Sequence, residues 1–238
     1  MLQSIVIFVL IQITLLARYL IKGEFEPGYY AFTYVFLILP IVLYFFGKHY
    51  AKKELHYTPQ NIEDWSFYNR QSVFLNEKPL FKGNEKRGSI QRYFDKKWQY
   101  FIWRITDQNY FLSLKIWIDH DEYNVKSNTK KLLSSQDYWQ IYKNGVQIGS
   151  AKTVVDLKNT AKLKEVIELQ IGDKIYSTAA STVVSSIKLF DGQNQIGQLS
   201  HGSDLSNLIK NVKVLKVQDD TPEKIIALLI HAFYFKNN

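Results

Sequence analysis

Two long apolar segments open this chain, and they restrict its fold more than any other feature. Leu2 to Ile21 (LQSIVIFVLIQITLLARYLI) has Gln3, Gln12 and a late Arg18 as its main polar interruptions, and Tyr29 to Phe46 (YYAFTYVFLILPIVLYFF) carries no charge. A helix of about 20 mostly apolar residues crosses the hydrocarbon core of a bilayer, and about 17 suffice. Both segments meet that length. Arg18 lies near one end, where a long side chain reaches the headgroups, and Tyr19, Tyr29, Tyr30 and Tyr44 fall near the expected interfaces. A cleaved signal peptide would show a basic start, a shorter apolar run and a small-residue cleavage site, and this segment has none of them. Buried core helices would not need so long a stretch free of charge.

The link from Lys22 to Gly28 (KGEFEPG) is short and turn-rich, so residues 1–47 read as an antiparallel transmembrane hairpin, with helices over about 2–21 and 29–46. Lys48, Lys52 and Lys53 follow at once in GKHYAKKEL and open a basic juxtamembrane connector over residues 48–64. Basic residues that flank a span are retained in the cytoplasm. The expectation is a multi-pass protein of the cell membrane with both termini and its large C-terminal domain inside.

The net charge of +8 is unevenly placed, since residues 48–104 hold twelve Lys/Arg against six Asp/Glu. Anionic headgroups attract each nearby basic residue by about 1 kcal/mol, so the excess sits where lipid is the nearest polyanion. Nucleic acid also suits a pI near 9.3 but is the less expected partner beside a bilayer. Cysteine is absent, which excludes disulfides, thiolate nucleophiles and cysteine metal sites.

From Trp65 onward, short β-rich runs alternate with turn signals. SVFL (72–75), LFK, SIQRYF (89–94), QYFIWRI (99–105) and YFLSLKIWI (110–118) read as strands. Three hairpins turn at Asn144-Gly145, Gly172-Asp173 and Asp191-Gly192, and VKVLKV (212–217) adds one more alternating strand. About a dozen short strands at this spacing predict a barrel or sandwich. Then the rhythm breaks. Thr221 can cap a helix, Pro222 suits its first position, and Ile225 to Phe235 (IIALLIHAFYF) is apolar almost all round. Eleven residues span only about 16 Å, too short for a bilayer, so this helix belongs in a core. Residues 65–238 are thus expected to form a closed or nearly closed sheet wrapped around a helix over 222–236.

The basic-aromatic strand GSIQRYFDKKWQ (88–99), the hairpins YKNGVQIG and LFDGQNQIG, and the terminal apolar helix resemble the tubby C-terminal-like superfamily. Its tubby, phospholipid-scramblase and LURP-one branches share a twelve-stranded barrel around a central C-terminal helix. The resemblance covers roughly residues 65–238 and suggests a bacterial-type, membrane-anchored version of that domain. It implies phospholipid binding, or lipid scrambling as in the scramblase branch. This chain places its anchor before the domain, unlike the scramblase pattern, and lacks a cysteine-rich stretch.

The candidate lipid-binding surface is Lys86, Arg87, Arg92, Lys96 and Lys97, interleaved with Tyr93, Phe94 and Trp98. Cations attract phosphate and the rings settle at a headgroup interface. The competing reading is a strand edge decorated with charge against aggregation. Asp119-His120-Asp121-Glu122 lacks calcium-loop spacing and reads as an acidic turn. His201-Gly-Ser203-Asp204 holds the residue types of a hydrolase triad, but too close together and without a nucleophile elbow. His231 reads as a hydrogen-bonded core residue. No P-loop, dinucleotide fingerprint or HExxH occurs, so no cofactor, metal or catalytic residue is expected. The functional expectation is a non-enzymatic domain that binds phospholipid headgroups or positions a partner at the membrane. The alternatives are a protein-interaction or regulatory role without lipid specificity, and a lipid-moving, scramblase-like role.

Overall fold

The computed structural model describes residues 2–23, 25–59, 61–69, 75–106, 111–128, 136–154, 164–181, 184–201 and 212–234. Three helices come first: α1 (Leu2–Lys22), α2 (Pro27–Thr33) and α3 (Val35–Leu55). Ser4–Lys22 and Pro27–His49 are long and apolar enough to cross a membrane, and almost none of either stretch is buried, unlike a core helix. Gln12 Nε2 donates to Thr33 Oγ1 at 2.6 Å and the Thr33 hydroxyl donates to the Tyr30 carbonyl at 2.7 Å, which pins α1 to α2 by polar contacts among apolar side chains. Arg18 meets Glu26 at 2.5 Å near the link.

Twelve strands follow: β1 (Trp65–Tyr68), β2 (Lys78–Lys82), β3 (Glu85–Tyr93), β4 (Ser113–Ile118), β5 (Asp121–Ser127) and β6 (Tyr138–Lys143), then β7 (Val146–Thr153), β8 (Lys164–Ile171), β9 (Lys174–Ser181), β10 (Val184–Asp191), β11 (Asn194–His201) and β12 (Val212–Val217). Each pairs antiparallel with its sequence neighbours, and β1 pairs with β12, so the meander closes into a barrel. Register keeps alternate side chains inside. Ile90, Ile116 and Tyr123 stand in one row across β3, β4 and β5, all fully buried. Gly149 permits close strand approach, because a Cβ there would lie 2.1 Å from the Gln170 carbonyl oxygen. The β6–β7 turn uses Asn144 (φ 49°) and Gly145 (φ 86°), the two left-handed positions such a hairpin requires.

The interior is filled by α5 (Pro222–Tyr234), in which every residue from Ile225 to Phe233 is buried. Geometry explains the match. Strands about 4.8 Å apart and tilted about 40° close a twelve-strand barrel with a radius of about 12 Å. An eight-strand barrel is filled by its own side chains, whereas this radius leaves room for one helix about 10 Å across. His231 Nδ1 lies 2.7 Å from Thr178 Oγ1 of β9, and burial pushes the imidazole pKa down to about 3. The expected core histidine is therefore found.

Three expectations change. Residues 99–105 are helical, within α4 (Lys97–Thr106), not a strand. Their apolar residues recur at Trp98, Phe101, Ile102 and Ile105, the helical spacing, and Gln99 Oε1 accepts the Lys96 backbone N–H at 3.0 Å as a reciprocal cap. The second apolar segment, expected as one helix over 29–46, is divided at Tyr34 into α2 and α3, and α3 reaches Leu55, so the connector begins only at His56. That connector lies along the barrel wall: Tyr57 meets Tyr68 and Phe81 at ring separations of 5.5 and 5.8 Å, and Gly83 N donates to the Asp64 carbonyl at 3.3 Å. Finally, β3 is paired on both sides within a closed sheet and has no free edge to protect. The proposed strand over 72–75 falls largely outside the described residues.

Leu229 is fully buried in α5. Leu229→Asp should abolish folding of the barrel, since an unpaired buried charge costs several kcal/mol against a typical stability of about 5–15 kcal/mol. A cooperative circular-dichroism melt retained by this variant in detergent would show that the helix does not support the wall.

Candidate functional site

The barrel has two unlike ends. Tight turns link β2 to β3, β4 to β5, β6 to β7, β8 to β9 and β10 to β11 at one end, where α5 also enters. At that end Trp65 Nε1 and Lys82 Nζ both donate to Asp220 Oδ1, at 2.9 and 2.8 Å. The opposite end carries the longer connections, including α4 between β3 and β4, and it is the end that meets the hairpin.

The junction is a buried ion pair. Glu54, on the last turn of α3, accepts from Lys78 Nζ at 2.6 Å, and both side chains are only 2 % exposed. Lys78 is the first residue of β2 and points into the barrel mouth. Burial pushes its ammonium pKa down while the Glu54 carboxylate, 2.6 Å away, pulls the other way. Two further cations share this end of the interior. Arg92, near the end of β3, donates from Nη2 to the Phe233 carbonyl at 2.9 Å and so caps α5. Its guanidinium also lies 5.9 Å from the Trp103 ring and 5.5 Å from the Phe233 ring, bridging α4 and α5. Lys213 of β12 is buried beside Phe67, and desolvation pushes its pKa down to about 8.

The five lysines and arginines singled out from the sequence do not form one surface. Arg92 is buried and structural. Lys86 and Arg87 lie near the tight-turn end of β3, where Arg87 Nε donates to Asp119 at 2.6 Å and Lys86 Nζ approaches Glu77 at 4.0 Å. Only Lys96 and Lys97 stand exposed at the hairpin end, at the start of α4. Lys48 and Lys52 are likewise exposed, on the last turns of α3. The sequence separated these two pairs by more than forty residues, and their common placement follows from the docking of α3 on β2.

The acidic turn is consumed by local pairing. Asp119 holds Arg87, and Asp121 accepts from Lys143 Nζ and Asn144 Nδ2, each at 2.8 Å. No cluster of three metal-ligating side chains occurs among the described residues. Gly202 to Asp204 lie outside them. Glu54 and Lys78 were missed in the sequence, where a lone acid after three lysines gives no sign of a partner 24 residues away.

Two predictions follow from the junction. Lys78→Met alone or Glu54→Leu alone should destabilise the protein by about 3–5 kcal/mol, with the double variant recovering most of the loss. Single losses below about 1 kcal/mol in denaturant titrations would mark the pair as no better than a surface contact. The second concerns pH. With the Lys213 ammonium depressed to about 8, the unfolded chain holds the extra proton above that pH. Stability should therefore rise from pH 8 towards the ordinary lysine range near 10, above which Tyr93, pushed up to about 12 by burial, opposes it. Lys213→Met should flatten that rise in thermal melts across the same window.

No protein-family model matches the chain, and no curated protein or solved structure matches it.

Proposed function

We propose that this chain is a non-enzymatic, membrane-anchored barrel of the tubby-like kind, whose hairpin end engages anionic phospholipid headgroups at the cytoplasmic face of the cell membrane. The observation that carries the reading is the set of exposed lysines on that end, Lys48 and Lys52 from α3 with Lys96 and Lys97 from α4. Each basic residue near an anionic leaflet contributes about 1 kcal/mol, and lysines flanking a span favour the cytoplasmic side. A closed twelve-strand barrel around a C-terminal helix agrees with what the tubby-like resemblance implies.

Arg87 drops out of the lipid surface, since six residue steps along β3 separate it from Tyr93, about 20 Å of strand, against a Debye length of about 8 Å at physiological ionic strength. Screening removes its attraction for headgroups at the far end. Lys86 is set apart by its approach to Glu77 at 4.0 Å, whose carboxylate offsets its charge.

The reading can be checked on the full chain reconstituted in phosphatidylcholine vesicles. A trace of spin-labelled phosphatidylserine should be enriched at the protein surface over spin-labelled phosphatidylcholine, and added salt should erode the difference. Lys96→Glu with Lys97→Glu should lower the enrichment by about 1 kcal/mol per residue or less while leaving the fold intact, because exposed charges contribute little to stability. Equal association of the two lipids in the unsubstituted chain would sink the lipid reading.

A further inference from the structure

We infer that α4 is a membrane-contacting helix, with Trp98 and Phe101 seated at the boundary between headgroups and acyl chains of the bilayer that α1 crosses. This rests on the reading that the hairpin spans a membrane, and it adds a third contact that does not span.

The first argument is position. The helix α4 packs against α1. From Ser4 to Lys22 all of α1 belongs to the candidate span, so an element that touches it sits at bilayer depth or at its margin. The approach comes from the barrel end to which α3 is tied through Glu54 and Lys78. A ten-residue helix is about 15 Å long, too short to cross, so it can only lie along the interface.

The second argument is what the barrel domain leaves uncovered. Among its described residues, the large hydrophobic side chains exposed to the outside are Trp98, Tyr100 and Phe101 on α4, and Tyr138, Val146 and Ile175 singly on separate strands. Scattered apolar residues are ordinary on a protein surface, but Trp98 and Phe101, three positions apart, share one face of a short helix, whereas Tyr100 packs on Phe94 and Trp103 at ring separations of 6.0 and 5.8 Å. Trp98 is 47 % and Phe101 53 % exposed. The opposite side of the helix is anchored: Trp103 is buried, its ring 5.6 Å from that of Phe94 and within reach of the Arg92 guanidinium. The exposed aromatic face is therefore held in a fixed direction.

The third argument is charge. Lys96 and Lys97 stand exposed where the helix begins. Aromatic rings with flanking lysines are the composition of a helix lying in the membrane interface, where rings take the boundary and ammonium groups take the phosphates.

Because the chain has no cysteine, single labelling sites can be introduced without background. The full chain, reconstituted in vesicles, would carry a nitroxide at Phe101→Cys, at Leu10→Cys in α1 or at Val146→Cys, the exposed first residue of β7 at the tight-turn end. Collision with oxygen should dominate at positions 101 and 10, and collision with a water-soluble nickel chelate at position 146. Chelate access at 101 equal to that at 146, with 10 remaining lipid-like, would overturn the placement of α4 and leave the spanning hairpin standing. Chelate access at 10 as well would overturn both. A second measurement needs no label. All five tryptophans lie in the barrel domain, and lipids brominated along the acyl chain should quench part of their emission. Trp98→Phe should lose that quenched part, and unchanged quenching in this variant would contradict the inference.

Discussion

A helix with no polar face can be stable in water only if apolar side chains meet it from every direction. Residues Ile225 to Phe233 of α5 impose that condition, and a closed sheet satisfies it without leaving strand edges unpaired. The condition also sets the course of the chain. An even number of strands in a closed meander brings the start of β1 and the end of β12 to the same end. The helix α5 follows β12 directly, so it enters there and runs towards the other end, where Arg92 donates to the Phe233 carbonyl. The chain from α3 arrives at that other end but must begin β1 at the first. The connector is consequently laid along the outer wall, from Tyr57 beside Tyr68 to Asp64 beside Gly83.

Glu54, Lys78 and Arg92, buried at the hairpin end, join separate elements. Glu54 and Lys78 tie α3 to β2, and Arg92 ties β3 to α5 and to Trp103 of α4. A buried ion pair is weak evidence for net stability, because a well-packed apolar pair of similar volume often does as well. Its stronger effect is geometric. A charge at that depth has few alternative partners, so the pair fixes the point at which α3 meets β2. By contrast the ion pairs on the outer wall, such as Lys152 with Glu168 at 3.0 Å, are half-exposed and tie strands already paired by the sheet.

The architecture was legible in the sequence because it rests on patterns that need no tertiary knowledge. Two uncharged or nearly uncharged runs, Gly-containing turns at regular spacing and an apolar terminal segment behind Thr221-Pro222 specify hairpin, meander and central helix. What failed has separate physical causes. Tyr100, Phe101, Ile102 and Trp103 favour strands by type, but spacing and the Gln99 cap make them helical. Asp121 and Glu122, read as part of an acidic turn, open the strand DEYNVKS, of which only Tyr123 and Val125 are buried. The candidate site was legible only in part. Adjacent charges in sequence alternate between wall and interior on a strand, so Arg92 went inside while Lys96 and Lys97, past the end of β3, stayed out. Glu54 was invisible because its partner is set by docking, which no local pattern encodes.

The two ends of the barrel thereby face different solvents in the reading proposed here. Tight turns of two residues leave little backbone to reshape, and the turn end is stitched by Trp65, Lys82, Asp220, Arg87 and Asp119. Longer connections gather at the hairpin end, and with them the exposed lysines and the aromatic face of α4. Cations and rings on the same rim act over different ranges. Lysines attract headgroups across a Debye length of about 8 Å, whereas rings contribute only on contact with the acyl boundary. Salt should therefore weaken lipid selectivity without detaching α4, and replacing Trp98 should loosen α4 without erasing the preference for anionic lipid. The two surfaces are separable by experiment although they share one helix.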